Sequence, residues 1–366
     1  EGIDFLPHSV QFYRQQLQWL GGMGIIVLAV AILPILGVGG MQLYRAETPG
    51  PVKDNKMTPR IADTAKHLWY IYLSITIACA GAYWLAGMNV FDSICHAFST
   101  VAIGGFSNHD ASLGYFNSPM VNVVCTVFLL IAALNFSLHY AAVSSRSVKG
   151  YFKDPEFKAF FIIQASLIGI CFLVLTLSGY YTSAEQALDQ AMIQAVSIST
   201  TAGFATTDFS IWPTFLPIML IFSSFIGGCA SSTGGGLKVV RVCLLFLQGK
   251  REVDRLIHPK AVYSVKFGDR AMPDRVVEAV WGFFSAYAVV FVVLMIGLIA
   301  TGLDNLSAFT ATAAMLNNLG PGLGRVAANY ADVTDAGKWI LVTGMVFGRL
   351  EVFSLLVLFS PTFWRS

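Results

Sequence analysis

Long apolar runs are the feature of this sequence that most restricts its fold. Seven can be read, at roughly 17–40, 67–88, 118–141, 159–180, 214–247, 276–301 and 337–360. Six have a length that crosses a hydrocarbon core of about 30 Å as a helix, whereas 214–247 is longer and contains a glycine-rich interruption. The charged fraction is only 12%, which excludes a soluble enzyme, a disordered chain and a nucleic-acid binder with a basic surface. The sequence therefore predicts an all-α polytopic membrane protein.

Basic residues are distributed unevenly among the connections. Of the 23 Lys and Arg residues, 19 lie in three segments and at the C-terminus, namely 41–66, 142–158, 237–275 and Arg365. The positive-inside rule places these parts in the cytoplasm. The opposite segments hold ten acidic and three basic residues, at 1–16, 89–117, 181–213 and 302–338. Their charge predicts either an outer mouth that concentrates cations or ordinary solvated loops.

Each outer connection contains a second apolar segment that is too short to span. These segments are 91–99, 188–197 and 306–316, and the aligned glycines Gly105, Gly203 and Gly320 follow their first residues by 14, 15 and 14 positions. Such regular spacing indicates an internal repeat of span, re-entrant half-helix, extended loop and span. A half-helix that enters from outside directs its negative dipole end and free carbonyls toward the membrane centre, where they favour a cation. Amphipathic helices on the membrane surface, with ordinary glycine turns, are the alternative.

The repeats share one orientation, which predicts a parallel arrangement about an axis along the membrane normal.

Residues 227–236 interrupt the fifth run with five glycines, two serines and a threonine. Each glycine costs about 1 kcal/mol relative to alanine in a helix, so we expect a helix break that lies in the pore. The segment lacks the Gly-Lys-Ser/Thr ending of a phosphate-binding loop. Close helix packing through small residues is the alternative.

Arg349 lies near the middle of the last run. A charge at this depth is costly in lipid, so Arg349 should face the pore or pair with an acid such as Glu351 or Glu278.

The six cysteines show no metal-ligand or disulfide spacing, which predicts buried thiols, and the histidines form no ligand-like cluster. The spans also lack a paired His/Asp/Glu constellation, so we expect neither an enzyme nor a covalent cofactor.

Four motifs carry a family resemblance. They are WLGGMG at 19–24, TTAGF at 200–204, GGCASSTGGGLK at 227–238 and NNLGPG at 317–322. With them, the whole chain resembles the Trk/Ktr/HKT superfamily of potassium-translocating proteins, and within it the bacterial TrkH/TrkG pore subunits. The resemblance implies four span–half-helix–span repeats around one pore, similar to a potassium channel fused into one polypeptide.

The resemblance also assigns site residues. The implied selectivity filter consists of backbone carbonyls at Ile103, Gly104, Gly105, Thr201, Ala202, Gly203, Asn318, Leu319 and Gly320. The implied gating loop consists of Gly227, Gly228, Cys229, Ala230, Ser231, Ser232, Thr233, Gly234, Gly235 and Gly236. Arg349 would sit beneath the filter as a positive barrier.

The family pattern divides the chain as well. Residues 1–40 resemble the closing span of an incomplete first repeat; the others are 67–141, 159–247 with a broken inner span, and 276–366, joined by cytoplasmic loops 41–66, 142–158 and 248–275. Because the sequence opens with Glu1 inside a polar stretch, we expect a longer native protein.

The function implied by the resemblance is that of a pore-forming subunit of a bacterial inner-membrane potassium uptake system, which passes K⁺ or Rb⁺. Its implied partners are a second copy in a homodimer, cytoplasmic nucleotide-binding regulatory subunits of the TrkA type, and membrane lipid. A secondary transporter that couples K⁺ uptake to H⁺ or Na⁺ is the alternative, with Glu351 as the nearest mid-membrane acid.

Overall fold

The computed structural model describes residues 2–27, 61–350, 352, 355–356 and 363–365. Helices dominate this part of the chain: α1 (His8–Val27), α2 (Ile61–Leu85), α3 (Val90–Val101), α4 (Pro119–Ala132), α5 (Phe136–Ser145), α6 (Lys149–Lys153), α7 (Pro155–Leu177), α8 (Ala184–Ser199), α9 (Leu216–Ser224), α10 (Val239–Ile257), α11 (Asp274–Ala300), α12 (Asn305–Leu316) and α13 (Asp335–Arg349). Short 3₁₀ helices lie at Ile3–Phe5, Ser112–Phe116, Phe209–Ile211, Gly324–Val326 and Phe363–Arg365. One antiparallel hairpin joins β1 (Lys266–Phe267) to β2 (Arg270–Ala271), with Lys266 opposite Ala271.

Three helices among the described residues are long and apolar enough to cross a membrane. These segments are Lys66–Leu85 of α2, Pro155–Leu177 of α7 and Asp274–Ala300 of α11. The chain is therefore a helical membrane protein, as its composition predicts. Much of the predicted first run, 17–40, and most of the last run beyond Arg349 lie outside the described residues, and so does most of the loop 41–66.

The expected unbroken span at 118–141 is wrong, because helices α4 and α5 meet at an angle of 88°. Asn135 stands at the bend and caps α5, where its side chain accepts a hydrogen bond from the backbone N–H of Ser137 at 2.8 Å. An asparagine cap favours a new helix start over the continuation of the old one. The bend also leaves the carbonyl of Ala133 free to accept a hydrogen bond from a distant segment, at Cys229.

The fifth run is divided between α9 and α10, and we call the non-helical residues 225–238 between them the helix break. Helix α10 continues past the predicted boundary at 247 to Ile257. The predicted loop 142–158 likewise contains helix α6 and the first turn of α7.

The short helices α3, α8 and α12 lie at the centre of the described fold. Each is capped by a side chain at its start: Asn89 bonds to the N–H of Asp92, Ser183 to that of Gln186 and Asp304 to that of Ser307. Helix α3 packs on α1 and α2, α8 packs on α4 and α7, and α12 packs on α11 and α13. Nine of the twelve residues of α12 are buried, and they are mostly Ala, Ser and Thr. Surface-lying amphipathic helices would not be covered in this way.

Candidate functional site

The C-terminal ends of α3, α8 and α12 turn in the same way. The first residue of each following loop donates its N–H to the carbonyl three residues earlier: Ile103 to Thr100 (3.0 Å), Thr201 to Ile198 (3.0 Å) and Asn318 to Met315 (3.1 Å). The next residue donates to the carbonyl five residues earlier: Gly104 to Ser99 (2.7 Å), Ala202 to Ser197 (2.8 Å) and Leu319 to Ala314 (2.7 Å). These paired bonds define a Schellman C-cap, so three separate parts of the sequence adopt one local structure.

The backbone of the three loops 103–105, 201–203 and 318–320 alternates in handedness. In each loop the first and third residues have positive φ, with values of 51° and 75°, 68° and 88°, and 57° and 97°. Glycine usually occupies the first of these positions. Here Ile103 and Thr201 occupy it, and a β-branched residue at positive φ is an outlier that costs about 1–3 kcal/mol. Such strain is typical of a functional site.

The loops touch one another in chain order. A Cβ added to Gly105 would collide with the carbonyl oxygen of Ala202, and one added to Gly203 would collide with that of Leu319. Within the described part of the chain, no atom lies within 4 Å of the corresponding position on Gly320. The three loops thus lie side by side in chain order, and at Gly105 and Gly203 only glycine allows the close approach.

The carbonyl oxygens of these loops are largely unpaired. Among the described residues, no hydrogen bond reaches the carbonyls of 103–105, 201–203, Asn318 or Leu319. A cavity of about 920 Å³ is lined by residues of all three loops and by Asp110, Asp208 and Arg349. Of the nine residues assigned from the sequence, eight line this cavity, and Thr201 instead turns its hydroxyl toward the helix break. Half of these carbonyls belong to buried residues, and a buried carbonyl without a donor calls for another partner.

A side chain behind each loop fixes its outer end. Gln15 donates to the carbonyl of Phe106 (3.0 Å) and Ser197 to that of Phe204 (2.7 Å), each just after its loop, and Tyr330 donates to the carbonyl of Gly320 (2.7 Å), the last residue of its loop. No spacing rule links these three residues to their loops, so the sequence did not indicate them. Gln15 comes from the distant helix α1, whereas Ser197 and Tyr330 are seven and ten residues away in sequence from the carbonyls that they bind.

The helix break lies against the last carbonyls of all three short helices. The hydroxyl of Thr233 donates to the carbonyl of Val101 at 3.0 Å. A Cβ on Gly234 would stand 2.9 Å from the carbonyl oxygen of Thr200, and one on Gly235 would collide with that of Asn317. The glycines therefore allow backbone contact that any larger residue would prevent.

Further hydrogen bonds hold the break in place. The N–H of Gly235 donates to the Thr201 hydroxyl at 2.7 Å, and the N–H of Cys229 donates to the carbonyl of Ala133 at 2.8 Å. Phe136 in turn donates to the carbonyl of Ser231 at 3.3 Å. The bend between α4 and α5 therefore forms part of the surface to which the helix break is hydrogen-bonded.

Arg349 contacts the break from α13. Its Nη1 donates to the carbonyl of Thr233 at 3.1 Å. The alternative partner Glu278 is exposed, and among the described residues it makes no ion pair with Arg349. Glu351 lies outside the described residues. On the other side, Lys238 donates its ammonium to the carbonyl of Gly234. Two cationic side chains therefore bond to carbonyls of the break.

An acidic and aromatic cluster lies beyond the 103–105 loop. His109 bonds to Asp4 (2.7 Å) and to Asp92 (3.2 Å), and its ring stacks on Tyr115 with a centroid distance of 3.5 Å. The hydrogen bond from His109 holds the pKa of the Asp4 carboxyl below its usual range, with help from the N–H of Asp110. No role for His109 was expected from the sequence. The structure shows that it ties the start of the chain to the loop after α3.

The cysteines agree with the prediction of buried thiols. All six are free, and all except the half-buried Cys243 are buried. In the part of the chain that the structure describes, no group of three or more His, Cys, Asp and Glu residues could hold a metal ion.

Long apolar helices, together with a cavity that is lined by three loops whose carbonyls lack a donor, are typical of membrane proteins of the ion-transporting class. The family model TrkH, described as a cation transport protein, matches residues 2–366. The chain belongs to this TrkH family, so the predicted family is confirmed. Since the family consists of transport proteins, the prediction that the chain is not an enzyme is confirmed as well.

Curated relatives and a solved structure agree with the family. The chain is similar to the Trk system potassium uptake protein TrkH of Vibrio parahaemolyticus, with 68% identity over 100% of this chain and 76% of the relative. It is also similar to TrkH of Escherichia coli K12, with 63% identity over 100% of this chain and 76% of the relative. The crystal structure of the potassium transporter TrkH from Vibrio parahaemolyticus superposes with a TM-score of 0.90 at 63% identity, over 100% of this chain and 75% of that one.

Proposed function

We propose that this chain is the pore-forming subunit of a potassium uptake system, which passes K⁺ or Rb⁺ down the electrochemical gradient. The observation that carries the proposal is the repeated Schellman turn, since it brings unpaired carbonyls of three matched loops to one cavity. The names of the relatives, which are potassium uptake proteins, support the choice of ion.

In this proposal the loops 103–105, 201–203 and 318–320 form the selectivity filter. Their carbonyl oxygens replace the hydration shell of the ion. The alternation of positive and negative φ turns neighbouring carbonyls toward a common axis, which supports this role. The negative ends of the α3, α8 and α12 dipoles lie just beneath and add an attraction for a cation.

Residues 227–236 act as an intramembrane gate in the same proposal. Contact of Gly234 and Gly235 with the last carbonyls of α8 and α12 supports a position that blocks the path below the filter. Arg349 serves as a positive barrier there, because its guanidinium bonds to the gate at Thr233 and also borders the cavity.

The remaining assignments concern the whole assembly. We assign parallel repeats to 67–141, 159–247 and 276–366, with 1–40 closing an incomplete first repeat. The basic segments 41–66, 142–158 and 248–275 and the C-terminus lie in the cytoplasm of a bacterium, and the long helices face the lipid of its inner membrane. The chain forms a homodimer, and nucleotide-binding regulatory subunits of the TrkA type dock on the basic segments.

Reversal potentials in liposomes test the proposal. When K⁺ and H⁺ gradients are varied separately across a membrane that contains the purified protein, the reversal potential should follow the K⁺ gradient alone. A reversal potential that moves with the H⁺ or Na⁺ gradient would instead establish a secondary transporter that couples K⁺ uptake to that ion. Rb⁺ should carry current in place of K⁺.

A further inference from the structure

Glu156 is a buried acidic residue that the mechanism above does not use. It lies in the first turn of α7, and only 6% of its surface is exposed. An acidic side chain in a first helical turn usually stays at the surface beside its own helix end. The side chain of Glu156 instead reaches a segment that is 74 and 84 residues distant in sequence.

Oxygen Oε1 of Glu156 bonds to the helix break and to the helix after it. It accepts the N–H of Ala230 at 2.7 Å and the N–H of Val240 at 3.2 Å. Val240 lies in the first turn of α10, where backbone N–H groups have no partner inside the helix. The N-cap of α10 is Lys238, and its side chain makes no capping bond. Glu156 therefore supplies the missing cap from another helix and joins the cap to the break.

The two residues before Glu156 connect it to the exposed hairpin at β1 and β2. Asp154, two residues earlier, caps α7 through the N–H of Phe157 at 2.9 Å. Pro155 touches Gly268 in the turn of the hairpin, where an added Cβ would stand 3.0 Å from the proline ring. The exposed hairpin therefore contacts the residue directly before Glu156, and a displacement of the hairpin would reach Glu156 through Pro155.

We infer that Glu156 is a positioning residue that latches the helix break, so that the cytoplasmic end of α7 sets whether the break stays against α3, α8 and α12. This inference rests on the proposed gating role of the break. A shift of the α7 end by more than a hydrogen-bond length removes the acceptor from Ala230 and Val240 together. The break then loses one of its anchors, and α10 loses its cap at the same time.

Two substitutions separate the latch from general damage to α7. Glu156→Ala removes the acceptor, whereas Glu156→Gln keeps an oxygen that accepts both N–H groups. Asp154→Ala is the matched control, because it weakens the start of the same helix and leaves both bonds to the break intact.

The position of the break is measured at Cys229, which is 1% exposed and adjoins Ala230. Its rate of modification by a small methanethiosulfonate reagent is measured by peptide mass spectrometry, and K⁺ flux is measured in liposomes with the same samples.

We expect Glu156→Ala to raise both the Cys229 modification rate and the K⁺ flux by about tenfold, since bonds to a carboxyl group are strong. Glu156→Gln should raise them less, and Asp154→Ala should leave both unchanged while it lowers the melting temperature. An unchanged modification rate in Glu156→Ala, or an equal rise in Asp154→Ala, would overturn the latch. Where Glu156→Ala does not fold, Glu156→Met, which also lacks an acceptor but fills the space of the side chain, decides in its place, and a Cys229 rate equal to that of wild type and of Asp154→Ala overturns the latch. A higher modification rate without higher flux would uphold the latch and overturn the gating role of the break.

Discussion

Gly203→Ala tests whether contact between neighbouring loops maintains the filter. Gly203 has a φ of 88°, and an added Cβ would collide with the carbonyl oxygen of Leu319 and stand 3.0 Å from the ring of Pro321. The backbone conformation alone costs an alanine about 1–2 kcal/mol. The collision adds to this cost, because the 318–320 loop must move away and take its carbonyls with it. A misplacement worth about 1.4 kcal/mol in the barrier reduces the rate tenfold.

Gly302→Ala provides the matched control for the backbone cost. Gly302 has a φ of 97° at the exposed end of α11, and within the described residues no atom lies within 4 Å of its added Cβ. Gly302→Ala should therefore lose only the backbone cost, and Gly203→Ala should lose that cost and more, which thermal unfolding in detergent measures. Only Gly203→Ala should lose K⁺ flux by about tenfold or more per folded molecule in liposomes. If the two variants carried equal flux, the contact between loops would not control permeation, and the reasoning would be refuted.

Three further predictions concern the gate, the filter and the outer cluster. Arg349→Ala removes a charged hydrogen bond to the gate and should raise K⁺ flux about tenfold in liposomes, whereas unchanged flux would indicate a structural role. Tyr330→Phe frees the Gly320 carbonyl and should lower K⁺ over Na⁺ selectivity about fivefold in bi-ionic reversal potentials; equal selectivity would contradict this role. Because His109 lowers the pKa of Asp4, this carboxyl stabilises the fold above its usual value of 3.8, and the stabilisation is lost as pH falls through the lowered pKa. The melting temperature of wild type should accordingly exceed that of Asp4→Asn above this range and converge with it below; a constant difference would contradict the assignment.

The spacing of apolar segments and glycines was enough to locate the three short helices. Helices α3, α8 and α12 end at Val101, Ser199 and Leu316, close to the boundaries that the alignment of Gly105 and its two counterparts predicts. The prediction was correct because the length of a short helix and the glycine turn that ends it depend on local sequence, which each segment contains by itself. The interruption of the fifth run is local for the same reason, since glycines disfavour helix wherever they cluster.

Features that depend on distant partners were not predictable in this way. Ile103 and Thr201 take a backbone conformation that their own side chains disfavour, and only the surrounding packing holds them there. The bend before α5 had a weak local signal in Asn135, an N-cap residue inside an apolar run. Nothing in the local sequence indicates that Glu156 contacts the helix break, because both of its hydrogen-bond partners are more than seventy residues away in sequence.

In the proposed mechanism, the helix break competes with the permeant ion for the last carbonyls of α3, α8 and α12. Each Schellman turn uses two helix carbonyls and leaves the last ones, such as those of Val101 and Thr200, to find partners elsewhere. In the structure, Thr233 bonds to the first and Gly234 lies against the second. A cation below the filter is attracted to the same oxygens by the helix dipoles. An increase in K⁺ concentration should therefore displace the break and raise the modification rate of Cys229, whereas a large cation that cannot enter the cavity should not. A rate that is the same with both cations would mean that these helix ends do not link permeation to gating.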